Sequence, residues 1–176
     1  MRPASGYTAR QTIEGVTIGV ELFQGKDKIK SAFPKTDLEK VGVVPVLVVI
    51  SNDNDYPIHL DRMRIELITS DRQEMDPTPV EEVLLPARVK PPSLSPRPSP
   101  IPIPGRGSRR PPKTNEIEER AFVAPVVEAR SGANGFFYFR LGKGPDRLRG
   151  AKLFAGGLRN ARTGQEILYF EIELRP

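Results

Sequence analysis

The stretch GVVPVLVVISN, residues 42–52, is a continuous apolar run rich in β-branched side chains. It is short enough to be a strand buried on both faces. Pro45 lacks a backbone donor, which places it at the strand's beginning or at a bulge. On the N-terminal side, EGVTIGVELF (14–23) alternates: Val16, Ile18, Val20 and Leu22 share one face, with Thr17, Gly19 and Glu21 opposite. A period of two is the pattern of a half-buried strand. On the other side, DNDYP (53–57) is turn chemistry. HLDRMRIELIT (59–69) alternates again, with Met63, Ile65 and Leu67 inward and Arg62, Arg64 and Glu66 outward. DPTPVEEVLL (76–85) suits a short helix capped by Asp76 or Thr78, with Glu81 and Glu82 in its first turn.

Strand patterns return further on. RAFVAPVVEAR (120–130) reads as one, with Pro125 suggesting an edge. NGFFYFRLG (134–142), GAKLFAGGL (150–158) and EILYFEIEL (166–174) read as a final meander. The last has Leu168, Phe170, Ile172 and Leu174 on one face. About seven short strands, little helix and Gly- or Pro-marked turns predict an all-β fold, an immunoglobulin-like antiparallel β-sandwich. An open barrel is the second choice. The expected domain spans residues 12–175, after a flexible tail over residues 1–11.

Residues 86–113 interrupt that pattern. They hold 10 of the 19 prolines, no aromatic residue, no acid and seven of the 27 Lys and Arg. The remainder has 20 basic against 22 acidic residues, so the net charge of +5 belongs to this one segment. Such a composition cannot bury enough apolar surface to offset its ordering entropy. The reading is a long disordered Pro/Arg-rich insertion between strands of one domain. Pro92, Pro96, Pro98, Pro100, Pro102 and Pro104 fall on even positions, and no proline pair in the segment is three apart. That spacing argues against a PxxP ligand, because polyproline II repeats every three residues. Arg97, Arg106, Arg109 and Arg110 are the candidates for contact with an anionic partner. Without interleaved aromatic side chains, nucleic-acid binding by these cations would be non-specific.

The stretch AFPKTDLEKVGVVPVLVVISNDND (32–55) resembles a pattern in uncharacterised bacterial exported and lipoprotein-like domains. The matching residues are Phe33, Asp37, Leu38, Gly42, Val43, Pro45, Val46 and Asn52, followed later by SGANGFFYF (131–139). The resemblance spans about Val16 to Leu174 with the proline segment outside it. It implies a β-sandwich and export through a lipid-anchored precursor, and it supplies no catalytic residues.

The chain has no Cys and a single His. That removes thiolate nucleophiles and Cys-ligated zinc, and no Gly-x-Ser-x-Gly elbow partners His59. Asp53, Asp55, His59 and Asp61 form an acidic turn that could hold a hard cation, but the spacing is not that of an EF-hand loop. A solvated turn is the preferred reading. Glu81–Glu82 and Glu118–Glu119 read as solvated charge. GKGPDRLRG (142–150) lacks phosphate-loop spacing and reads as a hairpin turn. In GFFYF, strand geometry sends Phe137 and Phe139 to one face and Phe136 and Tyr138 to the other. Either both pairs are covered, or an exposed pair serves a partner, a glycan or the proline segment. Phe136 and Tyr138 are the contact candidates in that case.

Together these point to a non-enzymatic cell-envelope or accessory interaction module without cofactor or metal. Its partner is an unknown protein or envelope component. No apolar run is long enough for a transmembrane helix, so membrane association would be peripheral or through a lipid anchor. The location is the envelope or periplasm, or the cytoplasm if Met1 is the native start. The rival is a small protein associated with nucleic acid or an anionic surface through the basic segment.

Overall fold

The computed structural model describes residues 2–85, 115–142 and 145–174. The chain is mostly β, in three antiparallel sheets. Strands β1 (Ala9–Ile13), β2 (Val16–Leu22), β3 (Val43–Asn52) and β8 (Ser131–Arg140) form the first, in the order β1-β2-β3-β8. β10 (Arg159–Asn160), β4 (Ile58–His59) and β7 (Val126–Val127) form a small second sheet. The third has the order β11-β9-β5-β6, from Phe170–Glu173, Lys152–Gly156, Arg64–Ile68 and Glu74–Met75.

β3 is the central element, paired with β2 on one side and along all ten residues with β8 on the other. Its alternate residues enter two separate cores. Val46, Val48 and Ile50 join Val16, Ile18 and Val20 of β2 in a cluster that includes Ile65, Leu67, Leu153, Phe170 and Ile172 of the third sheet. Val43, Leu47 and Val49 face the other way, into a cluster with Ile29, Phe33, Leu38, Ile117, Phe136 and Tyr138. Burial on both faces explains the unbroken apolar run. Pro45 is tolerated because it lies level with Phe23, just beyond the last rung of β2, where the Phe23 amide donates to its carbonyl at 3.0 Å.

The second core is covered by elements that the strand patterns do not announce. Helix α1 (Lys26–Ala32) contributes Ile29 and Ala32, and α2 (Asn115–Arg120) contributes Ile117. The residues expected to be a tail are structured: Ala4 and Tyr7 are buried in this core and β1 pairs with β2. The β1–β2 hairpin turns through Glu14 (φ 47°) and Gly15 (φ 74°), the positive-φ pair that suits a tight hairpin.

Several other expectations are corrected. The helix expected over 76–85 is a single 3₁₀ turn, Val80–Glu82. The strand expected over 120–130 contracts to Val126–Val127, because α2 runs to Arg120 and Phe122 then packs onto β8. The final meander does not form: β8 belongs to the first sheet, whereas β9 and β11 pair in the third. β11 starts at Phe170, so Leu168 is 67% exposed. The Pro/Arg-rich insertion, with Arg97, Arg106, Arg109 and Arg110, lies outside the described residues.

Candidate functional site

The candidate contact pair Phe136 and Tyr138 lies inside the second core, at 6% and 1% exposure. Phe33 packs edge-on against both rings, at centroid distances of 4.9 and 5.9 Å. Neither ring offers a surface to a partner. The other pair is also covered, with Phe139 buried and Phe137 stacked on Phe122 at 5.3 Å.

β8 instead holds both ends of the interrupted region. The Tyr138 hydroxyl donates to the Ile117 carbonyl of α2 at 2.9 Å, and burial pushes that hydroxyl's pKa well above the usual tyrosine range. Two residues on, Arg140 donates through Nη2 to the carbonyls of Glu82, Val83 and Leu85, and through Nη1 to that of Val41. A guanidinium has five donors in a fixed fork, so one side chain can bind several carbonyls. The chain on either side of residues 86–114 is therefore anchored to neighbouring positions of one strand. Val83 and Ile117 sink into the same core beside them.

A cleft of about 320 Å³ opens next to the Arg140 clasp. Ile29, Val43, Val44, Leu141 and Leu148 give it aliphatic walls, and Gln24 and Glu39 are its polar side chains. Gly25, Gly42 and Gly142 line it without side chains, and all three have positive φ. Bare backbone at these turns keeps the cleft open. The cleft draws on residues from 24 to 148, so no local motif marks it. Its volume sits at the small end of the range for ligand pockets, which are mostly apolar with a few polar groups.

A second concavity, a shallow groove of about 410 Å³, runs along the other end of β3 and β8. Arg2 and Pro3 stand on one side, residues 130–134 on the other, with residues 49–53 between.

The acidic turn does not gather into a cation site. Among the described residues no group of three or more His, Asp or Glu is placed to hold a metal ion. Asp61 accepts from Arg159 Nη2 at 3.0 Å to each carboxylate oxygen, and Asp55 lies 3.8 Å from Arg162. Hydrogen bonding from Arg159 holds the Asp61 carboxyl below its usual range. His59 pairs through its backbone with Arg159, as part of β4 and β10.

No family model matches the chain, and no curated protein matches it. Among solved structures, the yjhA protein from Bacillus subtilis is similar in fold. The superposition covers 99% of this chain and 100% of that one, with a TM-score of 0.51 at 11% identity. The likeness is one of fold alone.

Proposed function

We propose that the protein is an immunoglobulin-like β-sandwich acting as a non-enzymatic interaction module of the bacterial cell envelope. The observation that carries this reading is the apolar cleft. Aliphatic walls and glycine backbone suit the burial of an apolar group, whereas acid–base or nucleophilic work requires positioned reactive groups. The sandwich reading is supported by the shared core between the two four-stranded sheets. The envelope assignment rests on the resemblance of residues 32–55 and 131–139 to exported domains.

The experiment is a methyl-detected NMR titration with 1-hexanol, a six-carbon chain with one polar end. Saturable shifts confined to Ile29, Val43, Val44, Leu141 and Leu148 are expected. Scattered, non-saturating shifts would remove the cleft as a binding site. Fractionation of the native cell should place the protein in the envelope, and recovery in the cytosol alone would remove that assignment.

A further inference from the structure

β8 has two edges, and β3 occupies only one. The carbonyl of Phe136 accepts from the Phe122 amide at 3.1 Å, and that of Tyr138 from the Thr78 amide at 2.7 Å. These partners lie on the side away from β3. Backbone polar groups alternate in direction along a strand, so Gly132 and Asn134 also turn theirs away from β3. Both residues are exposed, and among the described residues no backbone bonds satisfy them on that side. The structure thus leaves an open strand edge beside the shallow groove. An open edge is a template for a further strand.

The groove's charge says what kind of strand it suits. Arg130 stands where β8 begins, at φ 55°, a conformation that is costly for a residue other than glycine. Its guanidinium has no hydrogen-bond or ion-pair partner among the described residues. Arg2, across β3 from this edge, is turned toward β2: it lies 3.9 Å from Glu21 and 5.1 Å over the Tyr7 ring, so Arg130 is the cation that the edge presents. Asp53 is the carboxylate in the lining.

We propose that this outer edge of β8 is a β-augmentation site for an extended acidic peptide segment of a partner protein. The peptide backbone pairs with Gly132 and Asn134, and a carboxylate at the end of that pairing meets Arg130. Backbone pairing supplies affinity and the charges supply selection. This site is separate from the apolar cleft, so the failure of either leaves the other standing.

The test uses the full chain, labelled with ¹⁵N, and two capped hexapeptides, Ac-Val-Glu-Val-Glu-Val-Glu-NH₂ and its Lys-for-Glu counterpart. The acidic peptide should shift the Gly132 and Asn134 amides saturably and bind at least about tenfold more tightly than the basic one. Asn134→Pro removes an outward N–H that β3 does not use, so it should abolish binding with the fold retained, while Asn134→Ala should still bind. Should the proline variant fail to fold, the acidic peptide N-methylated at alternate residues replaces it, and it should not bind. Arg130→Ala should weaken binding roughly tenfold and reduce its salt dependence. Binding of the N-methylated peptide, equal binding of both peptides, or no shift at millimolar peptide would overturn the proposal.

Discussion

Asn52 joins three parts of the chain through one side-chain amide. It is buried at the end of β3, and its Nδ2 donates to the carbonyls of Tyr56 at 2.7 Å and Glu128 at 3.1 Å, with Val127 farther at 3.4 Å. Its Oδ1 accepts from the Asn54 amide at 3.1 Å. One side chain thus ties β3 to the turn before β4 and to the residues around β7. Asn52→Ala leaves these groups unpaired and should cost about 3 kcal/mol, since each orphaned buried polar group costs roughly 1–3 kcal/mol. The midpoint of thermal unfolding should fall by about 10 °C, readable by circular dichroism. Asp61 makes a different kind of contribution. Its folded-state pKa is depressed, so its stabilising effect is present above the ordinary carboxylate range and is lost as pH falls through the folded value. Asp61→Asn removes that effect. In urea titrations, the stability gap between wild type and variant should be present at neutral pH and shrink as pH falls below the ordinary carboxylate range. A gap that persists in acid would mean that the Arg159 pairing is not its source.

At the scale of elements, close approach decides where the chain goes after α2. A Cβ built on Gly135 would stand 2.4 Å from the Cα of Phe122, so residues 121–122 can lie against β8 only because that position is bare. Gly135→Ala should push this segment off and cost about 2 kcal/mol, in the range of overpacking substitutions. Faster proteolysis near residues 121–125 should accompany it, whereas an unchanged denaturation midpoint would contradict the contact. The neighbouring elements show what local pattern can reveal. β2 and β3 were legible as strands from a period of two and an unbroken apolar run, but β2 is not half-buried: Thr17 and Gly19 are covered as well, Gly19 by Ala4 and Tyr7. Helix α1 was not legible, because in KDKIKSA only Ile29 and Ala32 reach the core, too few to display a helical period. β1 was missed for a similar reason: ARQTI has no fully buried position. Leu168 matched the β11 alternation, yet the strand starts two residues later, and pattern alone does not fix an end. In GFFYF the split between faces was legible, but covering of Phe136 and Tyr138 depends on Phe33, which is distant in sequence. The cleft depends likewise on three glycine turns brought together by the fold.

For the whole molecule, the central claim is that sequence on either side of residues 86–113 builds one body. The β3–β8 ladder joins Val43–Asn52 to Ser131–Arg140 along its full length, and in the third sheet β9, from after the segment, pairs with β5, from before it. The Arg140 and Tyr138 bonds hold both ends of the interrupted region at one place. The direct measurement is scanning calorimetry of a variant in which residues 86–113 are replaced by a short Gly-Ser linker. One cooperative transition within a few degrees of the wild-type midpoint is the expected result. Loss of the folded state, or two separate transitions, would contradict the single body described here.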